Sequence, residues 1–353
     1  MLWEYLANIR IKRDKPKLVS VLNEKCNSVL PTISFVIPVF NQASVISKNL
    51  MSVINNTELL AEIIIINDAS EDDSEEALQH FIKGAKAFPQ NIISVHLYSF
   101  RKSRFETHCD HFGIMNAKGK YIIEIQADME ITEPAFDKKM VNGIESDRRI
   151  FMASGRGIMD FESVRSHFMN STGTEASSAS SLLKSMLFKL FCKNKKPTLP
   201  ITDLRLDPED IFPTSRIFKQ TKRAGRLGRL IELEIPRDLK HLYVGETVMR
   251  GPLAFEKDRY LQLGGLNTKS FFLGFDEHDL NLRGRQEHAW LSAYIPIAFN
   301  SPLENGSMRK KRSRKARIEI FLAQKRIKRF TGDSALSKAS SLGKIEFQDH
   351  EKK

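Results

Sequence analysis

Ile33-Ser-Phe-Val-Ile-Pro-Val39 is short, apolar and rich in β-formers, and it reads as a buried strand. The pattern that follows is regular. Between Asn41 and Asn55 the apolar residues Val45, Ile46, Leu50, Val53 and Ile54 fall at helical spacing. Glu62-Ile-Ile-Ile-Ile-Asn67 reads as a second strand. Asp68-Ala-Ser70 then turns into an acidic helix start at Glu71, Asp72 and Asp73, where carboxylates suit the helix dipole. Asn91–Tyr98 predicts a third strand, Phe105–Ala117 a helix and Lys120–Gln126 a fourth strand, with Gly119 placed near the helix end as a C-cap. Strand–helix alternation implies a mainly parallel sheet with helices on both faces. Ligands of such sheets lie beyond the carboxyl ends of the strands. The residues to watch are therefore Pro38-Val-Phe-Asn41, Asn67-Asp68 and Gln126-Ala-Asp128-Met-Glu130.

A second informative block lies far downstream. Arg250-Gly-Pro-Leu-Ala-Phe255 is followed by Leu263-Gly-Gly-Leu266 and then by Phe271-Phe-Leu-Gly-Phe-Asp276-Glu277-His-Asp279-Leu-Asn-Leu-Arg283. Asp279 and Arg283 are four apart at a helix start, the spacing of a simple ion pair. Asp279 is also placed to fix the loop that presents the acids.

Together the two blocks resemble the family 2 glycosyltransferases, over about residues 32–299. The resemblance implies an α/β fold of the GT-A, Rossmann-like kind: a mixed, mainly parallel sheet with helices on both faces, here with a basic helical C-terminal tail. It implies a nucleotide-sugar half over 31–160, an insertion or mobile region over 161–247 and an acceptor half over 248–300. These lie between a lead-in at 1–30 and a tail at 301–353. Gln126-Ala-Asp128 stands where the family has Asp-X-Asp, with Gln in the first place, and Asp128 is the implied metal ligand. Pro38, Phe40, Asn41 and Asp68 line the implied donor pocket, and Arg104 is placed to meet a diphosphate. Gly251, Pro252, Gly265, Asp279 and Arg283 fall on the acceptor side. The family's Glu-Asp pair is Asp276-Glu277 here. By position Glu277 is the catalytic base, with Asp276 the alternative.

The chemistry requires such groups. A diphosphate leaving group gains negative charge as the glycosidic bond breaks, and a hard divalent cation, Mn²⁺ or Mg²⁺, offsets it. A single carboxylate beside phosphate oxygens is enough protein for Mg²⁺; any further ligand is left open. The acceptor hydroxyl must lose a proton as it attacks, and a carboxylate within reach takes it. Each residue also has a plainer reading. Asp128 could sit in a solvated turn, Asp68 could be a helix N-cap, Glu130 a mere neighbour of the metal turn, and His278 and His288 satisfied or surface histidines.

The whole chain has 353 residues and a net charge of +12, with 41% hydrophobic and 28% charged residues. That balance excludes wholesale disorder, a collagen-like chain and a disulfide scaffold. Three scattered cysteines, Cys26, Cys109 and Cys192, carry no zinc spacing and fit a reducing compartment. Met1-Leu-Trp-Glu-Tyr lacks the pattern of a signal peptide, and the lead-in reads as helical or irregular. The expectation is a cytoplasmic enzyme. Arg309–Arg329 holds eleven Lys or Arg against Glu319 alone, so it carries +10 of the +12. Interleaved with Ile318, Ile320, Phe321, Leu322, Ile327 and Phe330, it suits the anionic inner face of a membrane better than nucleic acid, so the enzyme would sit peripherally there. Ser181–Lys193 reads as an apolar-striped helix, for the core or for a membrane interface, and Arg216–Arg229 as a basic loop.

The function these readings carry is inverting, metal-dependent transfer of a sugar from a nucleotide-diphospho-sugar, a UDP-sugar for choice, to a glycan or lipid-linked acceptor. Two alternatives stay open: a catalytically silent scaffold at a membrane, and a nucleic-acid-binding protein resting on the tail.

Overall fold

The computed structural model describes residues 15–22, 29–84, 88–159, 204–206, 215–220, 230–235, 242–295 and 297–301. The helix expected at 181–193 and the basic tail lie outside them.

Strand β2 (Ile33–Val39) is central to the parallel part of the sheet. Beside it in parallel lie β3 (Ala61–Asn67) and β5 (Tyr121–Glu124), and β4 (Ile92–Ser99) runs parallel to β3. The lead-in departs from expectation. Lys17–Leu22 forms a strand, β1, antiparallel to β4 at the sheet edge. Its alternation, Leu18, Val19, Ser20, Val21, is half-buried pairing sequence that the surrounding basic residues obscure.

Beyond β5 the sheet turns mixed. Antiparallel β14 (Leu253–Glu256) separates β5 from β7 (Ile150–Ser154), and β15 (Leu291–Tyr294) runs parallel to β7. Strands β12 (Leu242–Gly245) and β9 (Leu204–Leu206) then extend that edge, giving ten strands in the order β1-β4-β3-β2-β5-β14-β7-β15-β12-β9. Strands β2 to β5, β7, β15 and β9 point one way, and β1, β14 and β12 the other. The mixed, mainly parallel sheet is therefore as expected. The basic stretch after Ser215 is not wholly loop. β10 (Ser215–Gln220) pairs with β11 (Leu230–Ile235) in a hairpin. Short strand pairs join β8 (Ile158–Met159) to β13 (Thr247–Val248) and β6 (Glu130–Ile131) to β16 (Phe299–Asn300).

Two apolar layers cover the sheet, and the period of two along each strand assigns side chains to them. Ile33, Phe35, Ile37 and Val39 of β2 pack with α1 (Ile46–Asn56), α2 (Ser74–Gly84) and α4 (Phe136–Glu145). Val36 of β2 and Ile64 and Ile66 of β3 face the other layer, with α3 (Glu106–Asn116), α5 (Lys257–Gln262) and α6 (Asp276–His288). Each fully buried Ile or Phe in these layers contributes roughly 1.5–3 kcal/mol. Helix α3 lies close against β2. A β-carbon at Gly113 would come within 2.5 Å of Val36 Cγ1, so a larger residue there would push α3 off the sheet. That closeness matters because α3 carries two of the acids described next.

Candidate active site

Three turns converge at the carboxyl ends of the parallel strands, and side chains bonding to backbone hold them together. Asn41 donates its backbone N–H to Ser70 Oγ at 3.0 Å, and its Oδ1 accepts the N–H of Glu71 at 2.8 Å. Asp68 does not cap its own helix. Asp72 does so instead, accepting the N–H of Ser74 at 3.1 Å. The Asp68 carboxylate turns to the loop that opens α3. It accepts the backbone N–H groups of Arg104 and Phe105 and the hydroxyl of Ser103 at 2.7 Å. Burial nevertheless pushes its pKa up against these hydrogen bonds. The Arg104 guanidinium lies 4.1 Å over the Phe100 ring. The third turn, at Gln126–Met129, is closed by Met129 N–H to Gln126 O at 3.0 Å and held from α1 by the Asn49 amide on Ala127 O. Asp128 is half-buried on this turn, Phe40 is half-buried after β2, and Pro38 sits in β2 opposite Ile66. Glu130 is drawn away from the turn by Lys48, at 2.9 Å.

Helices α3 and α6 begin alike. Each follows a phenylalanine at positive φ, Phe105 (68°) and Phe275 (67°), a conformation that costs a non-glycine residue and concentrates at functional sites. Each then presents acids in its first turn: Glu106 on α3, and Asp276, Glu277 and Asp279 on α6. The Thr107 N–H bonds Phe272 O at 3.1 Å and the rings of Phe105 and Phe272 meet edge to face, tying the two helix starts together.

Between them lies Arg250. Its guanidinium reaches Glu106 at 2.8 Å, Asp110 at 2.9 Å and Asp276 at 2.6 Å, with Glu277 Oε2 3.8 Å from Nε. Gln126 donates to the same Glu106 oxygen at 3.2 Å. A continuous polar chain thus runs from the Gln126 turn through Glu106 and Arg250 to the Asp276-Glu277 pair. Glu124, at the end of β5, adds another buried carboxyl to the group. Carboxyls outnumber cations here, and burial pushes Asp276 and Glu124 up to about 8 despite the guanidinium beside them. Asp110 is raised well above its usual range, by burial first and then by neighbouring acids. Glu106 is the exception. Burial raises it, but the Arg250 charge and the hydrogen bonds from Arg250 and Gln126 leave it below its ordinary value.

Asp276 is fully buried with Oδ2 on Arg250 and Oδ1 without a hydrogen bond among the described residues, and Glu277 keeps Oε2 without one there as well. His278 bonds Thr247 Oγ1 through Nδ1 at 2.9 Å, and His288 stacks on Trp290. Asp279 pairs with Arg283 at 3.1 Å, and Arg283 also donates to the carbonyls of Leu263 and Gly265. The pair is therefore an ion pair and an anchor for the glycine turn at once. Gly265 needs to be glycine. Its φ is +74°, and a β-carbon would lie 2.8 Å from His111. Gly251 abuts Arg156, and Pro252 accepts the N–H of Gly155 at 2.8 Å.

The structure thus joins Gln126, Asp276 and Glu277 in one network, ties Asp68 to the Arg104 backbone, and ties Asn41 separately to Ser70 and Glu71. The reading of the sequence missed Arg250, Glu106, Asp110 and Glu124. An arginine directly before the Gly251-Pro252 turn was the available signal, but nothing in its local sequence named four acids from two helices as its partners. Among the described residues no cluster of three or more His, Cys, Asp or Glu could hold a metal ion by itself, and no helix is long and apolar enough to cross a membrane. Asp128 therefore fits a divalent ion only as one shared with ligand oxygens.

In an α/β sheet, ligands bind beyond the carboxyl ends of the strands, where these polar turns gather. The family model for glycosyl transferase family 2 matches residues 34–197 of this chain. Two curated relatives are glycosyltransferases by name. Uncharacterized glycosyltransferase YibD of Escherichia coli (strain K12) is 30% identical over 115 residues, 33% of this chain and 31% of the relative. A Rickettsia bellii (strain RML369-C) uncharacterized glycosyltransferase is 30% identical over 96 residues, 27% of this chain and 13% of the relative. The matched stretch spans under a third of either relative. GalNAc-T7, solved with UDP, GalNAc and Mn²⁺, is similar at 16% identity and TM-score 0.47, covering 78% of this chain and 45% of that one. The mannosyltransferase PcManGT of Pyrobaculum calidifontis, solved with GDP-Man and Mn²⁺, is similar at 13% identity and TM-score 0.42, covering 84% and 62%. Neither likeness bears on this chain's chemistry.

Proposed function

We propose that the protein transfers a sugar from a nucleotide-diphospho-sugar, a UDP-sugar for choice, to a hydroxyl of a glycan or lipid-linked acceptor with inversion. The observation that carries this reading is the polar chain from the Gln126 turn through Glu106 and Arg250 to Glu277. It ties the turn bearing Asp128 to a buried carboxylate that retains an oxygen with no hydrogen bond among the described residues.

Glu277 takes the proton of the acceptor hydroxyl. The hydroxyl oxygen forms the new bond to the anomeric carbon, and the bond to the diphosphate breaks, its electron pair leaving with the nucleotide. Asp276 is held by Arg250 and serves as the neighbour of the base. Asp128 would hold Mn²⁺ or Mg²⁺ together with diphosphate oxygens, and the ion would supply positive charge for the leaving group. Pro38, Phe40, Asn41, Asp68 and Arg104 form the donor side, and Gly251, Pro252, Gly265, Asp279 and Arg283 shape the acceptor side. The basic stretch at 309–330 would bring the enzyme to an anionic surface, which suits a lipid-linked acceptor.

A panel of nucleotide-sugars with and without Mn²⁺, read by thermal shift and by nucleotide release, tests the reading. The expected result is a metal-dependent rise in Tm with one donor. Asp128→Ala should abolish the rise. Glu277→Gln should keep it while losing transfer. No response to any donor with any divalent ion would overturn the proposal.

A further inference from the structure

We infer that Arg250 is a positioning residue that holds the base Glu277 in register with the donor-side turn at Gln126–Met129. The inference rests on the reading of Glu277 as base.

Geometry is the first ground. Arg250 lies between β13 and β14 and touches acids from two other elements, Glu106 and Asp110 of α3 and Asp276 and Glu277 of α6. A planar guanidinium with five donors can satisfy several carboxylates in fixed directions, whereas a lysine ammonium is a point charge on a flexible stem. Arg250 grips Asp276, the first residue of α6, tightly and leaves Glu277, the second, 3.8 Å away. The grip sets where the base points without consuming the base. Through Glu106 the same guanidinium is one hydrogen bond from Gln126, two residues before Asp128. Space is the second ground. A β-carbon at Gly251 would lie 2.7 Å from Arg156 Cβ, so the backbone after Arg250 is pinned against its neighbour.

Cost is the third ground. A cluster serving stability alone would balance its charges or replace them with packed apolar groups, since buried ion pairs seldom repay their desolvation. Here Glu106, Asp110, Glu124, Asp276 and Glu277 surround one buried arginine. Folding proteins tolerate such local conflict mainly where function requires it.

The test uses the full chain with the donor identified above. It compares wild type, Glu277→Gln, Arg250→Lys and Glu106→Gln. Arg250→Lys keeps the charge and so guards against simple unfolding. We expect its kcat to fall about 100-fold, the scale of a small misplacement in the site, with donor affinity by calorimetry unchanged. Glu106→Gln, which keeps an acceptor for Gln126, should lower kcat by less. Arg250→Lys with wild-type kcat would overturn the inference, and so would a joint fall of kcat and donor affinity with a collapsed Tm. If Glu277→Gln abolishes transfer and Arg250→Lys does not, this inference fails alone. If Glu277→Gln transfers like wild type, the parent reading fails and takes the inference with it.

Discussion

Asp68 and Asp276 are both buried acids at strand or helix ends, yet the molecule treats them differently. Asp68 is satisfied by neutral donors, two backbone N–H groups and a serine hydroxyl of the loop at 103–105. Asp276 is satisfied by one full charge, Arg250, which it shares with other acids. Dipoles are local and each serves one partner. A guanidinium is shared, so every acid in the cluster depends on every other. The Asp68 turn is therefore laced locally, whereas the acids of α3, β5 and α6 form one shared charge system around Arg250.

The comparison breaks most visibly at Arg250. Arg250→Met should destabilise the protein by about 3–5 kcal/mol in urea unfolding, because it strands several buried acids at once. Asp68→Ala should cost less, about 1–3 kcal/mol, since the donors it abandons lie in one loop near the surface. Equal losses for the two would erase the distinction.

pH sharpens it further. Asp276 and Glu124 have folded pKa values of about 8, above their unfolded values near 4. Between those limits the native state binds more protons than the unfolded chain. Stability should therefore be greatest at the acid end of this window and fall as pH rises toward 8, where the carboxyls must ionise while buried. Denaturant titrations at several pH values check this, and Asp276→Asn should flatten the slope, whereas Asp68→Asn should flatten it less.

Smaller effects belong to the periphery. Arg283→Lys should cost about 1 kcal/mol by loosening the Leu263 and Gly265 carbonyls, with a larger effect on acceptor KM than on donor affinity. Glu130→Gln should change stability by about 0–1 kcal/mol, as for an exposed pair, and should leave metal-dependent donor binding intact. Loss of that binding would return Glu130 to the metal turn.

Much of this was legible in the chain. The alternation of Ile33–Val39 with Ala61–Asn67 announces paired, doubly covered strands, because burial on both faces leaves no polar side to a strand. Asp68 and Gln126-Ala-Asp128 were legible as strand-end turns for the same reason. Asp279 and Arg283 were legible as a pair, since helical spacing makes them neighbours. Strand β1 was not, because its pairing with β4 depends on an edge more than seventy residues away. Nor was the direction in which Asp68 points: its own helix and the loop at 103–105 offered the same kind of donor.

Local chemistry thus determined the parallel strands β2 to β5, the helices between them and the turns at their carboxyl ends, because period, turn residues and helix signals act over a few residues. Only the tertiary structure decided that Arg250 lies among acids from α3 and α6, and that Asp276 is held while Glu277 keeps Oε2 unbonded among the described residues. Such choices depend on which distant groups share one buried volume, where a charge acts on everything within a few ångströms whatever the distance along the chain.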